Sequence, residues 1–206
     1  MDVIVKDMSP ARSDNGTLIA QRLCHDLVNP LGAIGNGLDL LGMIQPETAE
    51  TRLMRDSLEH ALGRIKLYRL AFGSAMSEHQ VSGQDLTAIL AALGGSRPIA
   101  LDARLPDRLS RSDARILALM GLCAETALAW GGELTLAAGG QQLSASATAP
   151  RLRLEQEPWT ALSRGLPPEA PTAPLVQFSL LASAARTAGR RLGVDQTDNR
   201  VTITAG

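Results

Sequence analysis

The sequence predicts an α+β protein in which a long helical hairpin precedes an α/β sandwich. The apolar residues are almost all aliphatic, with 33 Leu and 30 Ala against 5 aromatic residues in 206, and Leu and Ala favour helices. In the first third of the chain these residues recur at heptad spacing, which is typical of a helical bundle. After Ser77 the pattern changes to shorter helical and alternating segments, which indicates a second, mixed domain.

The first predicted helix runs from Asp14 to about Ile44, and a turn at Gln45 and Pro46 leads to a second helix from Glu47 to Ser77. The apolar rows of the first helix are Ala20, Leu27, Ile34 and Leu41, and Cys24, Leu31 and Leu38. The rows of the second helix are Met54, Ala61, Tyr68 and Ala75, and Leu58, Ile65 and Phe72. Two helices alone enclose no core, so we expect the hairpin to form a homodimeric four-helix bundle.

The second domain is predicted to place helices on one face of a mixed or antiparallel sheet. Ser82 and Asp85 predict a capped helix that ends near Leu93. Further helices are predicted over 111–130 and 175–188, and strands over 98–101, 133–138, 141–148, 151–154, 192–195 and 200–204. We therefore divide the chain into a helical hairpin domain at 1–80, expected to dimerise, and an α/β domain at 81–206.

Composition excludes several classes of function. With 20 basic and 21 acidic side chains and a net charge of −1, the chain lacks the basic surface expected of a nucleic-acid-binding protein. The N-terminal residues do not resemble an export signal and the apolar stretches are short, so we expect a cytoplasmic protein without a membrane span. Cys24 and Cys123 are too far apart in sequence to suggest a zinc motif or a disulfide framework.

Residues 22–31 carry the clearest signal of chemistry. His25 follows the buried-row residue Cys24, so its ring should flank the buried stripe and face water. Pro30 removes a helical hydrogen bond one turn later, which costs about 3 kcal/mol in a helix interior. A sequence that accepts this cost, and places three glycines soon after, is typical of a functional segment.

The predicted hairpin also brings cations to the level of His25. Lys66 and Arg69 on the returning helix and Arg22 one turn before His25 would surround the imidazole, an arrangement suited to a phosphoryl group. Asp26 could hold the neutral ring in one tautomer and leave Nε2 free as a nucleophile. Charged residues on a helix flank are, however, more often simply solvated.

The segment His-Asp-Leu-Val-Asn-Pro-Leu at 25–31 resembles the H-box of histidine-kinase dimerisation domains. Residues 22–41 together with 64–75 resemble the ChpT-type histidine phosphotransferases, which relay phosphoryl groups from a hybrid kinase to response regulators in cell-cycle control. The resemblance implies a homodimeric four-helix bundle with His25 as phosphoacceptor. It also implies a second domain shaped like the histidine-kinase ATPase domain but degenerate.

The second domain lacks the motifs that a functional kinase of this kind needs. The helix around 119–130 contains no Asn and keeps only Glu125 as a metal-ligating type, and no Asp-x-Gly-x-Gly loop occurs in the sequence. We therefore expect no cofactor on this chain, no ATP binding and no autokinase activity. Mg²⁺ would be held by the partner receiver domain.

The resemblance implies transfer from a receiver aspartyl phosphate to His25 and on to a second receiver. Leu27, Leu31 and Ile34 are candidate receiver-docking residues, although for Leu31 and Ile34 a place in the dimer core is the favoured interpretation. Asn29 could position water for a phosphatase reaction or be an ordinary helical polar group. The alternatives are a non-catalytic dimeric scaffold or kinase-docking module, and a sensor-kinase fragment that binds ATP through a divergent pocket.

The remaining aromatic, His and Cys residues are expected to be structural or inert. His60 and His79 should be ordinary surface residues. Trp130 and Trp159 should be packing anchors of the second domain, and Cys123 should lie in its core.

Overall fold

The computed structural model describes residues 11–73, 80–95 and 97–206, with side chains from Gly16 onward. Two long helices form the predicted hairpin, α1 at Ala11–Ile44 and α2 at Ala49–Phe72. Thr48 starts α2 because its hydroxyl accepts a hydrogen bond from the backbone N–H of Thr51, whose own hydroxyl accepts one from the Thr48 N–H. The predicted end of the second helix, with Ala75 and Ser77, lies outside the described residues.

One of the two predicted apolar rows joins the helices of the hairpin. Its members Cys24 and Leu38 on α1 are buried, as are Leu58 and Ile65 on α2. The other row of α1 stays open to solvent within a single chain, since Leu27, Ile34 and Leu41 are all exposed. The heptad pattern therefore predicted the hairpin contact, and it leaves a second apolar stripe without a partner in the monomer.

The second domain begins with β1 at Gln80–Ser82, which pairs antiparallel with β3 at Arg108–Ser110. The predicted capping pair is confirmed, because Ser82 accepts the N–H of Asp85 at the start of α3, Gly83–Leu90. The main sheet contains β2 at Ile99–Arg104, β4 at Gly132–Gly139, β5 at Gln142–Thr148, β6 at Leu192–Gln196 and β7 at Arg200–Ala205.

The main sheet has the strand order β2-β4-β5-β7-β6. Strands β2 and β4 are parallel and the other neighbours are antiparallel. Helix α4, Arg111–Ala127, connects the parallel pair, and α6, Val176–Thr187, packs beside it. The buried and half-buried positions alternate along β5 and β7, so one face of the sheet is covered by helices while the other remains more accessible.

The C-terminal end of α2 belongs to the core of the second domain. Leu67, Leu70 and Ala71 join the same apolar cluster as α4 and the inward face of the sheet. Arg115 of α4 adds a hydrogen bond from its Nε to the carbonyl oxygen of Ala71, at 3.1 Å. The hairpin is therefore anchored to the sandwich through α2.

Some local expectations were wrong. Residues 151–154 form no strand, and the short strands β1 and β3 and the helix α5, Gln156–Ser163, were not predicted. Trp159 is buried against Phe178, as expected of a packing anchor, and Cys123 is in the core. Trp130 is instead 55% exposed and lies under the guanidinium of Arg151, 4.2 Å from its ring centre.

Helix α1 also departs from the expectation that the apolar stretches are too short for a membrane span. The segment Gly16–Ile44 is long enough and, at a mean hydropathy of 1.2, apolar enough to cross a bilayer by length and composition, and only 6% of its most apolar window is buried. A helix whose apolar stripe packs against another protein surface passes the same test. This property alone is weak evidence for a membrane.

Candidate functional site

His25 lies on the surface of α1, one residue after the buried Cys24. Its side chain is 71% exposed, and its Nδ1 lies 3.2 Å from Oδ1 of Asp26. The other oxygen of the same carboxylate accepts a hydrogen bond of 2.8 Å from Nε of Arg22, one turn earlier. With Nδ1 facing a carboxylate, the neutral ring is held as the Nδ1–H tautomer and Nε2 keeps its lone pair toward solvent.

Contacts across the hairpin fix which part of α2 lies level with His25. The thiol of Cys24 donates to the carbonyl oxygen of Ile65 over 3.9 Å. Lys66 comes one residue after Ile65, and His25 comes one residue after Cys24. In a pair of antiparallel helices, the residues that follow the contact residues by one position lie on the same side of the pair, so Lys66 and His25 lie on the same side. Lys66 and Arg69 are both exposed there. The predicted level of these two cations relative to His25 agrees with this register.

Two pKa shifts report the local electrostatics. Burial raises the pKa of the Cys24 thiol, and the positive charge of Arg69 opposes that rise, which locates Arg69 within electrostatic reach of the residue beside His25. The hydrogen bond with His25 lowers the pKa of Asp26, and the charge and hydrogen bond of Arg22 lower it further. Asp26 therefore remains an anionic acceptor for the imidazole throughout the neutral pH range.

The other predicted site residues occupy different faces of α1. Asn29 is exposed one turn after His25, and Leu31 is half-buried toward α2. Leu27 and Ile34 are 51% and 54% exposed, but at about 100° per residue they lie on the side of the helix opposite His25. Their position favours the dimer interface over a surface that surrounds the imidazole.

A buried ionic cluster, which the sequence reasoning missed, connects the hairpin to the second domain. Glu125 of α4 is 5% exposed, and both of its oxygens accept Nη1 of Arg64 at 2.9 Å. Its Oε1 also accepts Nη2 of Arg97 and the N–H of Gly94, each at 2.8 Å. The available signal was a single charge within the apolar run of α4, since a buried carboxylate requires partners.

The same cluster lines a cleft between α2 and the second domain. The cleft has a volume of about 360 Å³ and is bordered by Arg64, Tyr68, Phe72, Glu125 and Gln177, among other residues. Tyr68 stacks on Phe72, and its hydroxyl accepts a 2.7 Å hydrogen bond from Arg64. Glu125, the residue with metal-ligand chemistry in the sequence, has its carboxylate occupied by two guanidinium groups. Within 11–73, 80–95 and 97–206, no three His, Cys, Asp or Glu side chains group together as a metal site would require.

Comparison with known proteins identifies the second domain. Residues 83–200 match the family model described as the histidine phosphotransferase C-terminal domain. A 64-residue segment is 41% identical to the protein phosphotransferase ChpT of Brucella abortus (strain 2308), and this match spans 31% of the chain and 31% of that relative. The family match begins after the hairpin and therefore does not include His25.

A solved structure shows the same fold over almost the whole chain. A structure described as a bacterial phosphotransferase has a TM-score of 0.69 at 22% identity, covering 97% of this chain and 98% of that one. The histidine kinase domain of the Erythrobacter litoralis EL346 blue-light activated histidine kinase reaches a TM-score of 0.45 at 13% identity, covering 95% and 93%. That second likeness is too low to support an argument.

The family match extends over more than half of the chain, and the solved phosphotransferase shares its mixed architecture from hairpin to sheet. The resemblance to ChpT-type proteins that the sequence predicts is thereby confirmed. The chain belongs to the histidine phosphotransferase family.

Proposed function

We propose that this chain relays a phosphoryl group between receiver-domain aspartates, with His25 as the carrier. The observation that carries the proposal is an exposed imidazole whose Nδ1 is engaged by Asp26, which leaves Nε2 as the nucleophilic nitrogen of the neutral ring. The family supports phosphotransfer as the general activity. The choice of His25 and of receiver aspartates as donors and acceptors is our inference.

In the proposed reaction, Nε2 of His25 attacks the phosphorus of a receiver aspartyl phosphate. A P–N bond forms as the acyl P–O bond breaks, and the receiver aspartate leaves as a carboxylate. The imidazole becomes cationic and retains its Nδ1 proton, so the adjacent Asp26 carboxylate stabilises the charge that develops. The reverse sequence delivers the phosphoryl group to the aspartate of a second receiver.

The surrounding cations have unequal roles in this proposal. Arg22 is already paired with Asp26, so its main contribution is to orient the carboxylate that holds His25. Lys66 and Arg69 are exposed at the same level of the hairpin, where they can approach the oxygens of the transferred group. Transfer from an acyl phosphate is favoured by Mg²⁺, and the acidic pocket of the receiver would hold this ion.

The relay is tested by incubating the chain with a phosphorylated receiver that carries labelled phosphate. Wild type should acquire label in an acid-labile, alkali-stable linkage, as a phosphoramidate does, and His25→Ala should acquire none. His60→Ala is a matched control, because His60 is also exposed on the hairpin and should leave the transfer intact. If His25→Ala acquired as much label as wild type, the proposal would be contradicted. Absence of label in wild type would favour the scaffold alternative.

We propose further that the hairpin dimerises through the open stripe of α1. Leu23, Leu27, Ile34 and Leu41 are exposed in a single chain and lie on one side of the helix. Burial of such a stripe against a second copy would remove it from water and close a four-helix bundle. His25, on the opposite side, would stay accessible in that dimer.

We also propose that the chain has no autokinase activity. Support comes from Glu125, whose carboxylate is engaged by Arg64 and Arg97, and from the missing nucleotide motifs in the sequence. Titration with Mg²⁺-ATP in a calorimeter should show no micromolar binding. Clear binding would restore the divergent-kinase alternative.

The expected partners are the receiver domain of a hybrid histidine kinase and those of response regulators, and the expected location is the cytoplasm. Asn29 is exposed beside His25 and is the residue to replace if the chain also hydrolyses receiver phosphate. Asn29→Ala should then lose hydrolysis while His25 phosphorylation persists.

A further inference from the structure

We propose that Glu125 is a positioning residue for phosphotransfer: through Arg64 it fixes the angle between the His25-bearing hairpin and the second domain, so that one receiver contacts both. This inference rests on the proposed relay and deepens it. It concerns the ionic link between α2 and α4 and the orientation of the hairpin.

The link joins two parts of the chain that are distant in sequence. Arg64 precedes Ile65, whose carbonyl oxygen accepts the thiol of Cys24 beside His25. On its other side Arg64 reaches Glu125 with both carboxylate oxygens at 2.9 Å, and its Nη1 also donates to the carbonyl oxygen of Ala92 over 3.4 Å. The segment of α2 level with the phosphoacceptor is thus tied directly to the core helix of the second domain.

Close packing brings Arg64 to its partner. A Cβ atom on Gly63 would lie 3.1 Å from Cβ of Ala92, so the absence of a side chain at Gly63 lets α2 approach the turn after α3. Gly63 and Arg64 therefore lie on the face of α2 that packs against the second domain.

The position of the link along α2 allows it to restrict the movement of the hairpin relative to the second domain. The apolar anchor of α2 begins at Leu67 and includes Leu70 and Ala71, and Arg64 lies almost one turn closer to the free end of the hairpin. Besides the hydrogen bond from Arg115 to Ala71, this anchor consists of hydrophobic contacts, which are not directional and therefore permit the hairpin to rock. The ion pair adds directional hydrogen bonds to the anchor, because Nη1 of Arg64 donates to both carboxylate oxygens of Glu125.

The cluster contains a matched internal control. Arg97 belongs to the second domain and donates to the same Oε1 atom that Gly94 uses. Arg64→Met removes the link between Glu125 and the hairpin, together with the Arg64 hydrogen bonds to Tyr68 and Ala92, and leaves Glu125 paired with Arg97. Arg97→Met removes a guanidinium of the same charge from the same carboxylate and leaves the connection to the hairpin in place.

Two phosphodonors separate positioning from chemistry. Phosphoramidate is a small donor that needs only an accessible imidazole, whereas a phosphorylated receiver needs the arranged surface. Arg64→Met should raise the receiver KM about tenfold, because the docking surfaces are no longer preorganised. With phosphoramidate, the rate of Arg64→Met should equal that of wild type. Arg97→Met should match wild type with both donors. Arg64→Lys should recover part of the lost affinity for the receiver.

A distance measurement tests the link without any phosphoryl transfer. Spin labels on Glu59→Cys in α2 and Gln142→Cys in β5 occupy exposed positions of the two domains, and dilution with unlabelled chain isolates the distances within one molecule. Arg64→Met should broaden the distance distribution and Arg97→Met should not. An unchanged distribution in Arg64→Met, or equal effects of the two variants on either readout, would overturn the proposal. If wild type accepts phosphate from neither donor, the relay fails instead, and the distances still decide whether the link fixes the domains.

Discussion

At the residue scale, the proposed chemistry depends on Asp26 as much as on His25. One carboxylate receives Nδ1 of the imidazole on one oxygen and the guanidinium of Arg22 on the other. All three side chains lie within five residues of one helix, so the arrangement follows from helical spacing and needs no tertiary contact. The sequence could therefore predict this triad before any fold was known.

The lowered pKa of Asp26 can be measured directly by carbon NMR of its carboxyl group. Arg22→Gln should raise this pKa toward its ordinary value, and His25→Ala should raise it more, since the hydrogen bond with His25 is the larger cause. Arg52→Gln on α2, which breaks an exposed pair with Glu47, should leave the titration unchanged. An Asp26 curve that does not move in His25→Ala would contradict the proposed tautomer.

The sign of the linked stability effect follows from the same shift. A carboxyl group whose pKa is lower in the folded state stabilises that state above its unfolded pKa, and the contribution is lost as the pH falls through the folded pKa. Because Asp26 is at the surface, solvent screening keeps this contribution small. Acid should therefore disturb the orientation of His25 without unfolding the hairpin.

Removal of the charge of Glu125 should lower the free energy of unfolding more than removal of an exposed charge. Glu125→Gln would leave Arg64 and Arg97 close together without their anionic partner, and we expect the free energy of unfolding to fall by about 3 kcal/mol. Glu155→Gln is the matched control, because Glu155 pairs with Arg153 at the surface and should cost less than about 1 kcal/mol. Urea denaturation of both variants checks this, and equal losses would contradict it.

At the element scale, α1 combines a strong apolar pattern with weak local helix propensity. It contains Pro30 and several glycines, yet it runs without interruption from Ala11 to Ile44. Packing of one row against α2 and the proposed burial of the other against a second chain can compensate for those residues. The helix is therefore expected to be less stable alone than in the assembled bundle.

Two glycines of α1 allow that balance to be tested. A Cβ on Gly32 would meet no atom within 4 Å, whereas one on Gly35 would lie 3.3 Å from Cδ2 of Leu58. Gly32→Ala should raise the free energy of unfolding by about 0.5–1 kcal/mol through helix propensity. Gly35→Ala should gain less, because the packed Leu58 must shift. A larger gain for Gly35→Ala in thermal or urea unfolding would show that the helix contact is looser than described.

At the scale of the whole molecule, the apolar stripe of α1 is the feature that a single chain leaves unburied. Ile34→Asp should abolish dimerisation, because a carboxylate in the centre of the bundle would lose its hydration without a partner. Sedimentation of wild type should give the mass of two chains and that of Ile34→Asp the mass of one. Leu166→Asp is the control, since Leu166 is equally exposed but belongs to the second domain.

A monomeric wild type would contradict the dimer proposal. Partition of the wild-type chain into vesicles would instead favour the membrane interpretation of Gly16–Ile44. Arg22, Asp26 and Asp39 argue for the dimer, because each charge placed at the centre of a bilayer costs about 2.5–3.5 kcal/mol on insertion scales.

The extent of successful prediction differs between the two domains for a physical reason. The hairpin is local: heptad spacing, the turn at Pro46 and the capping of α2 all lie within about 60 residues, and the register that brings Cys24 to Ile65 follows from the length of two helices. The strands predicted over 133–138 and 141–148 are adjacent in sequence, and they form the antiparallel pair β4–β5. The short pair β1–β3 carries no periodic signal in three residues per strand, and it forms because distant segments meet.

The sequence by itself determined the helical hairpin, the exposed imidazole beside a carboxylate, and the absence of nucleotide motifs, because each depends on residue types at short spacing. Only the tertiary structure decided that Glu125 is buried between Arg64 and Arg97, and that α2 enters the core of the second domain. Those contacts span 28 to 61 positions along the chain. No local pattern encodes such pairs, since they depend on how complete elements pack against one another.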